Sequence, residues 1–183
     1  MENLDENPRD GTNPYFKDVF NNDGYRFPFN KAGSRIFSDV QFPISITPAE
    51  IGRMTILSKL MIAGTNMLGY RQDTKIYAYT YDEIIDLARL RRSQGSSFMC
   101  KMIRLHLMQR VQTTSGPQYY INPAYFMASG QRLNLNLFLL FKDDLMPILP
   151  DWVLRGFLTQ VREKKVSQSA IITEVEKIFD NVI

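Results

Sequence analysis

Two capping boxes fix where two helices begin in this chain. The first has Thr47 at the N-cap and Glu50 three positions later, with a proline directly after the threonine, and the second has Thr80 and Glu83 in the same relation. In such a pair the threonine hydroxyl accepts from the backbone N–H of the glutamate, and the glutamate carboxylate accepts from the N–H of the threonine. Apolar residues follow at helical spacing, and in the first helix Gly64 supplies a stop. The sequence therefore predicts a helix at each site.

A third helix and a β-hairpin are predicted after the second capping box. Ser93 is a candidate N-cap, and an apolar face continues the helix to about Met108. Two β-prone runs, 109–113 and 118–122, flank a segment that contains a glycine and a proline, which favours a loop between paired strands. Another β-prone stretch, 75–79, precedes the second helix. Helix, short strand, helix, helix and hairpin is the order of a winged helix-turn-helix.

The charge of the chain is distributed unevenly. No aspartate or glutamate occurs in the 56 residues from Leu87 to Lys142, whereas eight of the 22 lysines and arginines lie there. The rest of the chain carries 14 basic and 19 acidic residues, so the formal net charge of +3 conceals a basic middle. If those cations share a surface they attract nucleic acid, because each neutralised phosphate releases a counterion. The alternative is that a hydrophobic middle simply leaves little room for acids.

The predicted third helix separates its residues by chemistry. Gly95 and His106 fall on the apolar face, so His106 is expected to be buried in the core rather than catalytic. On the opposite face Ser97, Lys101 and Arg104 are spaced i, i+4, i+7 and project in one row, as the edge of a groove-reading helix would. Arginine can contact guanine through two hydrogen bonds, whereas lysine acts as a point charge. Arg104 is therefore the better candidate for specificity.

A cluster of arginines lies at the turn before this helix. Arg89, Arg91 and Arg92 occur within four positions, where a turn would approach phosphates, and Ser93 follows them as the candidate N-cap. Such contacts position a protein on DNA without reading its sequence. The alternative is that these arginines serve only solubility.

The segment from Thr47 to Phe126 resembles the winged-helix replication and regulatory proteins of plasmids and phages, of which the RepL-type initiators of Gram-positive plasmids are one branch. The likeness covers under half of the chain. It lies in the motif at 80–85, in the third helix that begins at a serine, and in the motif at 118–123 that closes the wing.

This resemblance implies how the segment would bind DNA. The third helix would enter the major groove and place Ser97, Lys101 and Arg104 on base edges. The wing would contact the DNA backbone through Arg110 and Gln112. Gly95 departs from the family pattern, in which a larger apolar residue usually anchors the recognition helix.

Three regions are predicted from these patterns. Residues 1–43 form an irregular arm with many aromatic residues, which packs on its own body or on a partner. Residues 44–127 form the winged helix-turn-helix domain. Residues 128–183 form a helical extension, in which the alternating run 133–137 also fits a strand but favours a helix. Pro150 and Asp151 introduce a further helix, and the tail from residue 167 carries an apolar stripe; these closing helices either complete the core or join two subunits.

The sequence offers little for catalysis. The single cysteine, Cys100, excludes an internal disulfide, and with one histidine the chain lacks the ligands of a Cys/His zinc site. Tyr119 and Tyr120 are expected in the wing or the core, because a rolling-circle nucleophile would also need a histidine pair. No metal, cofactor or enzymatic activity is predicted. No signal peptide or membrane-spanning run is apparent, so a cytoplasmic location is expected.

The sequence thus predicts a mainly α protein with a small β-hairpin wing, a winged helix-turn-helix core, an N-terminal arm and C-terminal helices. The expected function is non-catalytic binding of duplex DNA, in replication initiation or transcriptional regulation of a plasmid or phage. Expected partners are duplex DNA, a second copy through the C-terminal helices, and host replication or transcription proteins. The alternative is a protein-interaction module that docks on a host protein such as RNA polymerase, for which the arm aromatics Phe16, Phe20 and Phe27 would be needed.

Overall fold

The structure is a computed structural model that describes residues 19–21, 24–26, 35–36, 40–128 and 132–164. Six helices and nine strands occur in this part of the chain. In chain order they are β1 (Val19–Asn21), β2 (Gly24–Arg26), β3 (Arg35–Ile36), α1 (Pro48–Ser58), β4 (Gly69–Gln72), β5 (Lys75–Ala78), α2 (Tyr81–Leu87), α3 (Arg92–Arg104), β6 (Met108–Thr113), β7 (Gly116–Ile121), β8 (Phe126–Met127), β9 (Arg132–Leu133), α4 (Leu135–Leu140), α5 (Lys142–Leu145) and α6 (Asp151–Lys164). None of these helices is long and apolar enough to cross a membrane.

Both capping boxes are confirmed. The backbone N–H of Thr47 donates to Glu50 Oε2 at 2.7 Å, and the N–H of Glu50 donates back to Thr47 Oγ1 at 3.3 Å. Thr80 and Glu83 form the same pair of bonds at the start of α2, at 2.7 and 3.4 Å. Helix α1 ends at Ser58, however, and not near Gly64. The reason is a loop that follows α1 and is closed by an antiparallel bridge between residues 61 and 68.

Two helices end on residues with left-handed backbone. The φ angles of Arg89 and His106 are 56° and 57°. The N–H of the next residue donates to the carbonyl five positions back. At the end of α2 this bond runs from Leu90 to Ile85 at 3.0 Å, and at the end of α3 it runs from Leu107 to Met102 at 2.9 Å. These are Schellman caps, in which glycine is the usual residue at the left-handed position. Because α3 ends at Arg104, His106 leaves the apolar face, and the prediction that it is buried is wrong.

The expected cap of α3 is also wrong. The helix begins at Arg92 with Arg91 as its N-cap, whose side chain makes no capping bond. The N–H groups of Gln94 and Gly95 both donate to the Arg91 carbonyl, at 2.8 and 3.1 Å. Ser93 therefore lies inside the first turn of α3 and cannot be its N-cap.

The predicted hairpin is confirmed, with β6 paired to β7 from Met108 opposite Ile121 to Thr113 opposite Gly116. Gly116 has φ +116°, a conformation that an L-residue with a side chain rarely adopts, at the end of the two-residue loop. Strand β7 stops at Ile121, directly before the predicted Asn-Pro break.

The predicted fold class is wrong, because the chain is α+β and not a mainly α winged helix-turn-helix with one β-hairpin wing. The described strands form four antiparallel sheets. The predicted lone strand at 75–79 is one arm of a second hairpin, β4–β5, in which Tyr70 lies opposite Tyr77. Strands of the N-terminal region add two more sheets, since β2 pairs with β9 and β3 pairs with β8. These pairings join segments about a hundred residues apart, which no local pattern reveals.

The β6–β7 hairpin lies between two hydrophobic clusters. On one side α1, α2 and α3 pack against Tyr119 and Ile121 of β7. On the other side α4, α5 and α6 pack against Val111 and Tyr120. The run 133–137 ends β9 and begins α4, so the helix favoured by its pattern is confirmed from Leu135 onward. Helices α4 to α6 therefore help to complete the core. The apolar stripe from residue 167, and with it the predicted dimer contact, lies outside the described residues.

Asn66 joins the loop after α1 to the hairpin and to β8. It is fully buried and has φ 56°. Its side-chain amide donates to the carbonyls of Ile121 and Phe126 at 2.9 and 2.7 Å, and its Oδ1 accepts from the N–H of Ala128 at 2.9 Å. All the bonding capacity of the amide nitrogen is therefore used inside the protein.

Candidate nucleic-acid interface

Helix α3 presents one buried side and one exposed side. Gly95, Phe98, Met99 and Met102 are buried against the first cluster. The exposed positions carry two cations, Arg92 and Arg104, at the two ends of the helix, and small polar groups between them: Ser93, Gln94, Ser96, Ser97 and Cys100. No acidic residue occurs anywhere in the helix. The exposed side of α3 is thus uncharged along most of its length and carries an arginine at each end.

The orientation of α3 is set by its contact with α2. A Cβ atom built on Gly95 would lie 2.6 Å from Cδ1 of Ile85, 2.7 Å from its Cγ1 and 3.0 Å from its Cγ2. Ile85 is itself only 2% exposed. The isoleucine therefore occupies the space in which a larger residue on α3 would anchor the helix, and the glycine lets the two helices approach closely.

Lys101 does not lie free on the exposed side of α3, as its predicted role requires. Its Nζ donates to both carboxylate oxygens of Glu50, at 2.9 and 2.7 Å, and the two side chains are only 23% and 17% exposed. Burial raises the pKa of Glu50, but the hydrogen bonds from Lys101 and Thr47 and the lysine charge outweigh it, so the pKa lies below 4.5. Lys101 thus ties α3 to the capping box of α1.

Arg104, which was predicted to contact base edges, is free to contact a ligand in the structure. It is exposed, and within the described part of the chain it forms no hydrogen bond and no ion pair. Ser97, one of its predicted companions, is exposed on the same side of α3, two turns earlier. Of the row Ser97, Lys101 and Arg104, the first and the last are therefore in position to meet a ligand.

The predicted backbone-contacting residues are all exposed. Arg110 and Gln112 lie on the exposed face of β6, where the guanidinium donates to Gln112 Oε1 at 3.3 Å. Before α3, Arg89 and Arg91 make no ion pair among the described residues. Arg92 lies 3.3 Å from Asp82, but both side chains are well exposed, at 84% and 62%, and such pairs contribute little. These cations are free to face phosphates.

Gln94 is a candidate that the sequence patterns did not single out. It is exposed one turn before Ser97. Its amide can donate and accept at once, which is the pattern that reads adenine in the major groove. The signal that could have identified it was the absence of any acid from the third helix, which makes every exposed polar residue there a candidate.

His106 belongs to a different cluster from the one predicted. Its ring is 54% exposed and its Nδ1 lies 3.5 Å from Asp144 Oδ2. The side-chain amide of Asn122 donates to the same carboxylate oxygen at 3.0 Å and to the His106 carbonyl at 2.6 Å. These contacts connect the end of α3 to α5, and they tie the two halves of the core together.

Tyr119 and Tyr120 are core residues, as expected, each 4% exposed. The Tyr120 hydroxyl donates to Gln118 Oε1 at 2.7 Å, and burial raises its pKa far above the ordinary value. Neither side chain is placed to act as an exposed nucleophile. Among the described residues no three His, Cys, Asp or Glu side chains come together as ligands for a metal ion.

Of the arm aromatics on which the alternative function depends, the side chains of Phe16, Phe20 and Phe27 lie outside the described residues. Phe42, at the end of the arm, stacks on Tyr125 with ring centroids 5.4 Å apart.

The structure defines the class of this protein as α+β, with an exposed acid-free helix and, around it, several arginines that form no ion pair with any described residue. Comparisons of the chain with family models, with curated proteins and with solved structures found no match. The resemblance to plasmid and phage replication proteins therefore stays a prediction, and a function has to be argued from the surface of α3 itself.

Proposed function

We propose that this protein binds duplex DNA without catalysing a reaction, and that it reads base edges with the exposed side of α3. One observation carries the proposal: the exposed side of this helix has no acid, is lined by small hydrogen-bonding side chains and ends at Arg104, which has no ion-pair partner among the described residues. A solvated helix face normally carries both signs of charge. Carboxylates would repel the phosphates of DNA, so a helix face that binds DNA closely is expected to lack them.

The dimensions and chemistry of α3 suit a major groove. Its 13 residues span about 20 Å, and a groove about 12 Å wide admits one helix. Gln94 offers the donor and acceptor that match adenine, and Arg104 offers the two donors that match guanine. Ser97, between them, is short enough to let the helix approach closely and can donate or accept.

The surrounding arginines supply the part of the affinity that does not depend on sequence. Arg89 and Arg91 lie at the turn that leads into α3, and Arg110 lies on the hairpin that follows it. Each cation that meets a phosphate releases a counterion, so binding should weaken steeply as salt rises. Lys101 has no part in this set, because it is held by Glu50.

We also propose, from the predicted resemblance of residues 47–126 to plasmid and phage replication and regulatory proteins, that the protein acts at an origin or promoter of such an element. There the protein would recruit or obstruct other machinery. Because such DNA lies in the cytoplasm, we place the protein there as well.

The test measures fluorescence anisotropy of a labelled duplex of random sequence, titrated with protein across a salt series. Arg104→Glu is the informative variant, since the side chain is exposed and has no partner in the described fold. Arg155→Glu is the matched control, because it makes the same charge change at an exposed position on α6, among the helices of the other cluster. Lys101→Glu is unsuitable, because it would place a second carboxylate against Glu50 and disturb the fold.

Arg104→Glu is expected to weaken duplex binding by at least about tenfold, and Arg91→Ala, which removes a proposed phosphate contact, to reduce the steepness of log K against log salt by about 1. Arg155→Glu should leave both nearly unchanged. If the wild type does not bind the duplex at low salt, or if the two charge reversals weaken binding equally, α3 is not a DNA-reading helix.

A further inference from the structure

The β4–β5 hairpin carries a face of stacked tyrosines. The rings of Tyr70 and Tyr77 lie 5.5 Å apart between centroids and are inclined by 21°, and the ring of Tyr79 lies 5.2 Å from that of Tyr70. Tyr70 and Tyr77 are 37% and 41% exposed, and they are among the few large apolar side chains that the described surface leaves open. A cluster of aromatic side chains that faces the solvent is typical of an interaction site.

The register of the hairpin places polar groups beside the rings. Tyr70 lies opposite Tyr77, and Gln72 lies opposite Lys75. Since side chains alternate along a strand, these four residues share one face of the hairpin. Both Gln72 and Lys75 are exposed. The face therefore begins with π surfaces and ends, toward the hairpin loop, with an amide and a cation.

The two ends of this face differ in charge. At the end away from the loop, the Tyr79 pKa is raised by burial and by the nearby carboxylate of Glu83. At the loop end, Lys75 forms no ion pair within the described residues. An anionic ligand would thus place its charge near Lys75 and its flat, uncharged part on Tyr70 and Tyr77.

We propose that this tyrosine face binds single-stranded nucleic acid, with unpaired bases stacked on Tyr70 and Tyr77 and a phosphate held near Lys75. Exposed aromatic rings on a sheet surface bind bases of any sequence, because every base has a π face. A duplex cannot use this face, since its bases are already stacked and paired. The inference rests on the proposed function in that the ligand is a nucleic acid, but it concerns a different surface from α3.

The experiment compares two probes with the full chain: a labelled single-stranded oligothymidylate and a labelled duplex of the same length. The variants are Tyr77→Ala, which removes the ring, and Tyr77→Phe, which removes only the hydroxyl and keeps the stacking surface. Far-UV circular dichroism and urea unfolding of both variants check the fold. Replacing one thymidine by 5-iododeoxyuridine and mapping the photo-crosslinked peptide identifies the residues in contact with the strand.

Tyr77→Ala is expected to weaken single-strand binding by between about 5-fold and 150-fold, which corresponds to the loss of one stacked base. Tyr77→Phe should bind like the wild type, duplex binding should be unchanged in both variants, and the crosslink should map to residues 69–79. Equal single-strand binding by wild type and Tyr77→Ala, or a crosslink confined to other segments, would overturn the inference.

The two proposals fail separately in this design. If Arg104→Glu weakens duplex binding while Tyr77→Ala leaves single-strand binding unchanged, the proposed function stands and the tyrosine face is not a base platform. If the wild type binds the single strand through Tyr77 but does not bind the duplex, the role of α3 is refuted and the platform stands. If neither probe binds at low salt, both proposals are wrong.

Discussion

Replacing Gly95 by alanine tests the close contact between α2 and α3. In an open helix position this change stabilises a protein by about 1 kcal/mol, because glycine has the larger backbone entropy in the unfolded chain. At Gly95 the new methyl group would meet three atoms of Ile85 at 3.0 Å or less. Ile85 is β-branched and sits in a helix, so rotation about χ1 cannot remove all three contacts.

The expected net effect follows from the two opposing contributions. Overpacking of a filled core costs about 1 to 3 kcal/mol, and the helical preference of alanine offsets about 1 kcal/mol of this. Gly95→Ala should therefore destabilise the protein by roughly 0 to 2 kcal/mol. Gly52→Ala is the matched control, because Gly52 lies inside α1, is exposed, and has no atom within 4 Å of the added Cβ. It should stabilise the protein by about 0.5 to 1 kcal/mol.

Urea unfolding followed by circular dichroism measures both changes. A double-mutant cycle adds Ile85→Ala, after which Gly95→Ala should become stabilising, since the atoms that it meets are gone. The reasoning is refuted if Gly95→Ala stabilises the native protein as much as Gly52→Ala does. In that case the helices lie farther apart than the structure places them.

Two further predictions concern a helix end and an ion pair. Arg89→Gly should stabilise the fold by up to about 1 kcal/mol, because glycine suits the left-handed position at the end of α2. The same change should weaken DNA binding, because it removes a proposed phosphate contact. A loss of both stability and binding would contradict this prediction. The second concerns Glu50, whose folded pKa lies below 4.5, so its contribution to stability is present above that pH and is lost as the pH falls through the folded value. Urea unfolding from neutral to acidic pH measures this contribution. At neutral pH the free energy of unfolding of Glu50→Gln should be lower than that of the wild type, and the difference should narrow as the pH falls below 4.5. A difference that stays constant with pH would mean that Lys101 does not stabilise the carboxylate.

The sequence predicted those parts of the fold in which the determining residues are close together. Each capping box lies within four residues, and the β6–β7 hairpin needs only a two-residue loop and Gly116. The predictions failed where partners are distant. Strand β4 was missed for a different reason: its partner β5 follows after only two residues, but β4 shows no alternation of buried and exposed residues. The pairings of β2 with β9 and of β3 with β8 have no local signal at all.

The candidate site shows the same division. Helical spacing correctly placed Ser97 and Arg104 on the exposed side of α3, because the geometry of one helix is sufficient for that. It could not reveal that Lys101 is engaged by Glu50, which lies 51 residues away. His106 was misplaced because it is itself a left-handed residue other than glycine, so α3 ends at Arg104, about four positions before the end that the pattern indicated.

The buried amide of Asn66 has a consequence for the order in which the protein assembles. Its three side-chain bonds close loops of 55, 60 and 62 residues, and contacts of such long range form late because the loop entropy must first be overcome. All three partners follow α3 in the chain. During synthesis the helix therefore emerges from the ribosome before the strands that complete the core beneath it. The surface proposed to read DNA would become rigid only after residue 128 has left the exit tunnel.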